Sequence, residues 1–173
     1  MLKEQSASTK RKITKGDILD TIVTILTALI IGVLIHQFIF ERAVVDGTSM
    51  YPTLHNNQNI IVDKITPKIN GYQRFDIVVL WSDGANEYLV KRIIGLPGET
   101  VQIKEGKVYI NDEQLDDIDG LDTMISGGIA AEPIKLGDNE YFVLGDNRNN
   151  SLDSRIAYVG NIDISDIVGK MCF

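Results

Sequence analysis

The chain has 173 residues, 44% of them hydrophobic, and a formal net charge of -7. That is enough to bury one modest core with at most a small appended lobe, and the composition is not that of a disordered protein. The acidic balance argues against a nucleic-acid backbone as partner, because phosphate binding wants clustered Lys and Arg. A single cysteine, Cys172, excludes an internal disulfide and reads as a packing residue.

Residues 1–17 carry Lys3, Lys10, Arg11, Lys12 and Lys15 against Glu4 and Asp17, and read as a cytoplasmic tail. From 18 to 40 the chain is apolar apart from Asp20, several threonines, His36 and Gln37. About 23 residues suffice to cross a hydrocarbon core of roughly 30 Å as a helix. The run is too long for the apolar region of a cleaved signal peptide and lacks a small-x-small cleavage site, so it reads as a permanent anchor. Lysines precede the span and only Arg42 closely follows it, which puts the N-terminus in the cytoplasm and residues 41–173 outside. Ser49 is then expected near the outer membrane–water interface. Asp20 and His36, near the two ends, are expected to reach the headgroups rather than form a proton pathway.

Beyond the span comes Asp46-Gly47-Thr48-Ser49-Met50-Tyr51-Pro52-Thr53-Leu54. A serine between a glycine two places earlier and a proline three places later sits on a constrained turn with its hydroxyl available, a common way to present a nucleophile. Serine needs a base to take its proton. The chain has two histidines, His36 in the apolar run and His55 without an acidic orienter at a telling spacing. The base is therefore sought among lysines, which serve once an apolar site removes their charge.

Short β-branched runs follow. Asn59-Ile60-Ile61-Val62-Asp63, Phe75-Asp76-Ile77-Val78-Val79-Leu80-Trp81 and Glu87-Tyr88-Leu89-Val90-Lys91-Arg92-Ile93-Ile94 read as strands bounded by Pro67, Asn70-Gly71, Asp83-Gly84 and Gly95-Leu96-Pro97-Gly98. With period two, Lys91 shares a face with Leu89 and Ile93, and Arg92 with Val90 and Ile94, so one of the two cations faces apolar surroundings. From these residues alone a lysine snorkelling to water at a sheet edge is the simpler reading. Val101-Gln102-Ile103-Lys104 and Lys107-Val108-Tyr109-Ile110-Asn111 form a hairpin about Glu105-Gly106. Residues 100–139 read as an inserted β lobe with a mobile acidic loop, weakest in order at Gly127-Gly128. Asp116, Asp117, Asp119 and Asp122 lack the spacing of a calcium loop and read as solvated. A strand at 141–144 runs into Gly145-Asp146-Asn147-Arg148-Asn149-Asn150-Ser151-Leu152-Asp153-Ser154-Arg155, a functional loop candidate in which an Asp153/Arg155 pair simply closing the loop is the plainer alternative. Gly137-Asp138-Asn139 is a turn at the other end of that strand, and 167–173 a closing strand.

Three of these stretches, Gly47 to Leu54, Val90 to Glu99 and Gly145 to Arg155, resemble in order the signature boxes of bacterial type I signal peptidases, and the similarity spans residues 10–173. The resemblance implies a membrane-bound serine endopeptidase with a Ser/Lys dyad that releases exported preproteins from their signal peptides. It implies a mainly β fold: a transmembrane helix at 18–40, then an antiparallel β-sheet catalytic domain at 41–173 with the small β lobe inserted at about 100–139. By position Ser49 is similar to the nucleophile and Lys91 to the general base. Ser151 matches the serine that hydrogen-bonds the lysine, Asp153 and Arg155 the supporting charged pair, and Arg92 a structural position. No cofactor or metal is implied. The implied partners are preprotein signal peptides, the lipid bilayer and, by proximity, the protein export channel, with no nucleic acid.

Two departures stand out. Gly47 occupies a place where some relatives, especially Gram-negative ones, carry a serine hydroxyl that helps hold the oxyanion, which leaves Ser49 N–H as the obvious donor. Arg74-Phe75-Asp76 stands where the family usually has Arg-Gly-Asp. The short chain and single anchor resemble the Gram-positive branch. An extended substrate strand lying between the serine turn and the Lys91 strand would meet Val45, Met50, Leu89 and Val90 as its lining. A non-cleaving relative that helps pilus assembly is the runner-up, and both dyad members being present speaks against it. A self-cleaving repressor with a Ser/Lys pair would need a DNA-binding domain.

Overall fold

A computed structural model describes residues 14–172, so the basic tail before Thr14, the side chain of His36 and the terminal Phe173 lie outside the described residues. The chain divides into two units between Phe38 and Ile39.

The first unit is helix α1, Lys15–Ile39. Its start is a reciprocal cap, with Thr14 N–H donating to Asp17 Oδ2 at 2.9 Å and Asp17 N–H to Thr14 Oγ1 at 3.3 Å. The hydroxyls of Thr21, Thr24 and Thr27 each donate at 2.8 Å to the carbonyl four residues back, so these three side chains find their partners within the helix. The stretch Lys15–Val33 has a mean hydropathy of 1.9 and none of it is buried. At 1.5 Å per residue the helix is about 37 Å long, which fits a single membrane span. It stops one residue short of the expected span, because Phe40 already pairs with Asp63 as the first residue of a strand.

The second unit is mainly antiparallel β. One seven-stranded sheet is built from β1 (Phe40–Val44), β2 (Asn59–Asp63), β3 (Ile77–Ser82), β4 (Glu87–Gly95), β9 (Glu140–Leu144), β10 (Ile162–Asp163) and β11 (Ile167–Cys172), in the order β1-β2-β11-β3-β4-β9-β10. A four-stranded sheet holds β5 (Thr100–Lys104), β6 (Lys107–Ile110), β7 (Glu113–Gln114) and β8 (Ile134–Lys135), in the order β7-β6-β5-β8. Its strands lie in the chain between β4 and β9, which are neighbours in the first sheet, so the lobe is an insertion at that junction. Gly95, at the irregularity where β4 leaves β9, has no room for a side chain: a Cβ there would stand 2.5 Å from Val101 and 2.8 Å from Leu136. A short helix α2, Thr66–Asn70, opens at Pro67 after β2.

Three apolar clusters hold the unit. Leu89 and Ile93 pack with Val78, Leu80, Val143 and Ile167, Ile94 packs with Val101, Phe142 and Leu144, and Val90 leans on Met50, Leu54, Ile60 and Val79. Strand β4 is thus covered on both faces, and the alternation expected of a half-buried strand disappears from Leu89 onward. The acidic stretch after β6 is tied down rather than loose. Met124 is buried, Asp117 pairs with Arg148, and Ile125 N–H donates to Asn149 Oδ1 at 2.9 Å. Gly127-Gly128, expected to be the weakest point, is close-packed, since a Cβ on Gly128 would lie 2.2 Å from Arg155 O.

Candidate active site

The turn carrying Ser49 is braced from both sides. Gly47 takes φ +94, a conformation that favours glycine, and its N–H donates to Asn56 Oδ1 at 2.8 Å. Met50 and Leu54 plug the turn into the core, Tyr51 N–H closes onto Thr48 O at 3.1 Å, and Leu54 N–H reaches Met50 O at 2.9 Å. From the 145–155 loop, Asn147 N–H donates to Ser49 O at 2.9 Å and Asn147 Nδ2 to Thr48 O at 3.1 Å. His55 lies beyond the turn with its ring edge-on to Tyr51, centroids 5.5 Å apart.

Lys91 projects from β4 onto the Leu89/Ile93 face and is 1% exposed, which overturns the snorkelling reading. Its Nζ lies 2.8 Å from Ser49 Oγ and donates to Val90 O, also at 2.8 Å. Burial pulls the amine down from 10.5 to about 8, against the partly offsetting pull of the Asp153, Glu87 and Asp146 carboxylates. A buried amine in contact with a hydroxyl, neutral for an appreciable fraction of the time near pH 8, can take the hydroxyl's proton.

Lys91 meets the apolar surroundings expected for one of the two cations, and Arg92 is buried as well. It is neutralised by Asp146, with Nε to Oδ1 at 2.8 Å and Nη2 to Oδ2 at 2.6 Å, and Nη1 donates to Phe75 O at 2.8 Å. Phe75 adopts φ +71 where a glycine would be at ease, and its side chain packs against the cluster around Ile94 and Val101. Asp153 and Arg155 form a second buried bidentate pair, both bonds 2.8 Å, and Asp153 Oδ2 also accepts from Gly145 N–H at 3.1 Å.

Ser151 is brought beside the serine turn: a Cβ on Gly145 would stand 2.1 Å from Ser151 Oγ and 2.5 Å from Ser49 O. The hydrogen bond to Lys91 implied by resemblance is not formed. Ser151 Oγ is buried without a partner, and Nζ is drawn to its own strand's Val90 carbonyl instead.

A groove of about 750 Å³ is lined by residues of β1, the serine turn and β4, Ser49 and Lys91 among them. Val45, Leu89 and Val90 line it. Met50 does not, since its side chain is spent in the core anchoring the turn. Sequence reasoning missed Asp146, Asn147 and Asn150 as individual residues, although the dense run of polar residues containing them pointed to the loop. Among the described residues no three His, Cys, Asp or Glu side chains converge as a metal site.

A protein-family model described as signal peptidase, peptidase S26, matches residues 18–173. Signal peptidase I S of Bacillus subtilis (strain 168) is 43% identical over 152 residues, covering 82% of this chain and 80% of that protein. Signal peptidase I P of Bacillus subtilis subsp. natto is 38% identical over 169 residues, covering 92% and 90%. Among solved structures, a signal peptidase I from Enterococcus faecalis V583 aligns at 30% identity with a TM-score of 0.46, covering 58% of this chain and 97% of that one.

Proposed function

This chain belongs to the signal peptidase family, peptidase S26, and its activity is that of a signal peptidase I acting on preproteins that bear signal peptides; we propose that it does so with Ser49 as nucleophile and Lys91 as general base. The observation that carries the assignment is the 2.8 Å contact between the hydroxyl and an amine only 1% exposed.

The chemistry runs in two halves. Neutral Lys91 takes the Ser49 proton as Oγ bonds to the scissile carbonyl carbon, and the carbonyl electron pair moves to oxygen, where Ser49 N–H meets it. Lys91 then gives its proton to the leaving amine as the C–N bond breaks, which releases the mature protein and leaves the signal peptide as an ester on Ser49. A water deprotonated by Lys91 attacks that ester, and the alkoxide of Ser49 recovers the proton. Ser151 Oγ, beside the turn, accepts a hydrogen bond from the ammonium when Lys91 is charged. The Asp153–Arg155 and Arg92–Asp146 pairs fix the loop and strand that hold the dyad.

The family is membrane-associated, and α1 is an apolar helix fit for a single span. In the proposed topology residues 1–17 are cytoplasmic, the anchor occupies 18–40, and the catalytic domain at 41–173 works at the outer face beside the export channel. The excess of lysine before the span supports this orientation. The c-region of the signal peptide lies extended in the groove against Val45, Leu89 and Val90. The test is incubation of the detergent-solubilised protein with a preprotein, followed by N-terminal sequencing. A product starting immediately after the signal peptide is expected, and an uncut preprotein would overturn the reading.

A further inference from the structure

At Gly47 this chain has no side chain to offer a developing oxyanion, and the groove supplies few replacements. Of the side chains lining it, Lys91 and Asn150 carry N–H groups and Thr48, Ser49 and Tyr88 carry hydroxyls; Ser49 is the nucleophile, Lys91 is committed to Ser49 Oγ and Val90 O, and the Thr48 hydroxyl is engaged by Asn150. Glu41, Asp46 and Glu87 are acceptors when ionised. Asn150 is exposed in the groove lining, and its carboxamide makes one long contact, Nδ2 to Oγ1 of Thr48, the residue before Ser49, at 3.4 Å. Its backbone is held, with Asn150 N–H donating to Asn147 O at 2.9 Å, and Asn147 N–H in turn holds Ser49 O. A side-chain donor therefore stands on a fixed backbone beside the nucleophile with most of its hydrogen-bonding capacity unspent.

We infer that Asn150 is a catalytic residue of this chain, donating an Nδ2–H to the oxygen of the scissile carbonyl as it becomes an oxyanion, alongside Ser49 N–H. The inference rests on Ser49 being the nucleophile. No bond to Asn150 forms or breaks: the Ser49 Oγ–C bond forms, the proton passes to Lys91, and the charge arriving on the carbonyl oxygen is met by two N–H groups. Such a donor matters more as charge develops than in the ground state, so its loss appears in kcat rather than KM.

A residue that only braced Thr48 would behave differently, and substitution separates the two roles. Asn150→Asp keeps the shape and can accept from the Thr48 hydroxyl, so it preserves a brace, but it places a carboxylate where an anion must form. Asn150→Ala is expected to lower kcat about 100-fold with KM within about threefold. Asn150→Asp is expected to lose at least as much, and Asn150→Gln to retain more than Ala. Rates are compared on protein shown to be folded by thermal unfolding, which the exposure of Asn150 favours. Asn150→Asp more active than Asn150→Ala, Asn150→Gln no better than Ala, or Asn150→Ala within threefold of the parent would each overturn the inference. Activity remaining in Ser49→Ala would instead overturn the nucleophile assignment beneath it.

Discussion

Arg92 and Asp146 meet in two parallel hydrogen bonds of 2.8 and 2.6 Å, and the same Asp146 Oδ2 accepts the Thr53 hydroxyl at 2.5 Å. Arg92 follows Lys91 on β4, and Thr53 lies on the turn that carries Ser49, so one buried carboxylate joins the strand of the base to the turn of the nucleophile. Asp146→Ala leaves a buried guanidinium without its anion and is expected to cost about 3–5 kcal/mol of stability. Urea unfolding measures it, and a loss under about 1 kcal/mol would show that the pair is not a structural tie.

Ser49→Ala and Lys91→Ala are each expected to abolish cleavage while the protein stays folded. The double variant should be hardly worse than either single one, because nucleophile and base act as a unit. Single-turnover assays on purified protein check this, and appreciable activity in Lys91→Ala would remove the lysine from the chemistry.

The depressed Lys91 amine makes both activity and stability rise with pH, over different ranges. Activity needs the neutral amine, so kcat/KM is expected to rise with pH through about 8. Folding suffers from the charged one. The amine titrates at about 8 when folded and near 10.5 when unfolded, so its contribution to stability rises with pH across that window and its cost is full below about 8. Lys91→Met is therefore expected to be the more stable protein at pH 7, by an amount on the order of 3 kcal/mol at about 1.4 kcal/mol per pH unit, with the gap closing as pH approaches 10.5. Denaturation of both proteins at pH 7 and pH 10 measures it, and a parent more stable than Lys91→Met at pH 7 would contradict the burial cost.

Ser151 presents a buried hydroxyl without a partner in the resting enzyme. When Lys91 gains a proton, its third N–H needs an acceptor, and this hydroxyl sits beside the turn to supply one. Ser151→Ala is expected to lower turnover, less severely than Ser49→Ala, and to leave stability within about 0.5 kcal/mol, since no resting hydrogen bond is lost. Unchanged turnover would refute the role.

What the sequence made legible was local. The period-two runs predicted β2, β3, β4 and the β5–β6 hairpin, and the left-handed pair Glu105 and Gly106 turns that hairpin as Gly chemistry anticipates. The three polar boxes marked the stretches that converge. Less legible was whatever a distant partner decides. Arg92 is buried beside Lys91 because Asp146, 54 residues away, cancels its charge, and the acidic stretch is fastened by Arg148, 31 residues from Asp117. Met50, bulky and apolar, is expected from the sequence in the groove lining, whereas it is buried in the core. Phe75 holds a left-handed backbone that costs about 1–2 kcal/mol for a non-glycine residue, offset by packing against a cluster that β4, β9 and the inserted lobe share.

Substrate choice is expected to follow the groove walls. A strand lying extended beside β4 turns alternate side chains the same way, so the residue before the cut and the one two places earlier both face the protein. They meet Val45, Leu89 and Val90, of which Val45 and Leu89 are buried and Val90 half-buried, with little freedom to withdraw. A methyl group fits such a wall, while a larger or charged side chain pushes the scissile carbonyl away from Ser49. A displacement of even about 1 Å there can cost on the order of 100-fold in rate, so selection for alanine should appear in kcat more than in KM. The check is a peptide series varying the two positions one at a time, with a Leu89→Ala enzyme alongside. Alanine should be preferred at both positions by the parent, and the enlarged groove should relax the preference at one of them. Equal cleavage of Ala and Leu before the cut by the parent would show that these walls do not set the specificity.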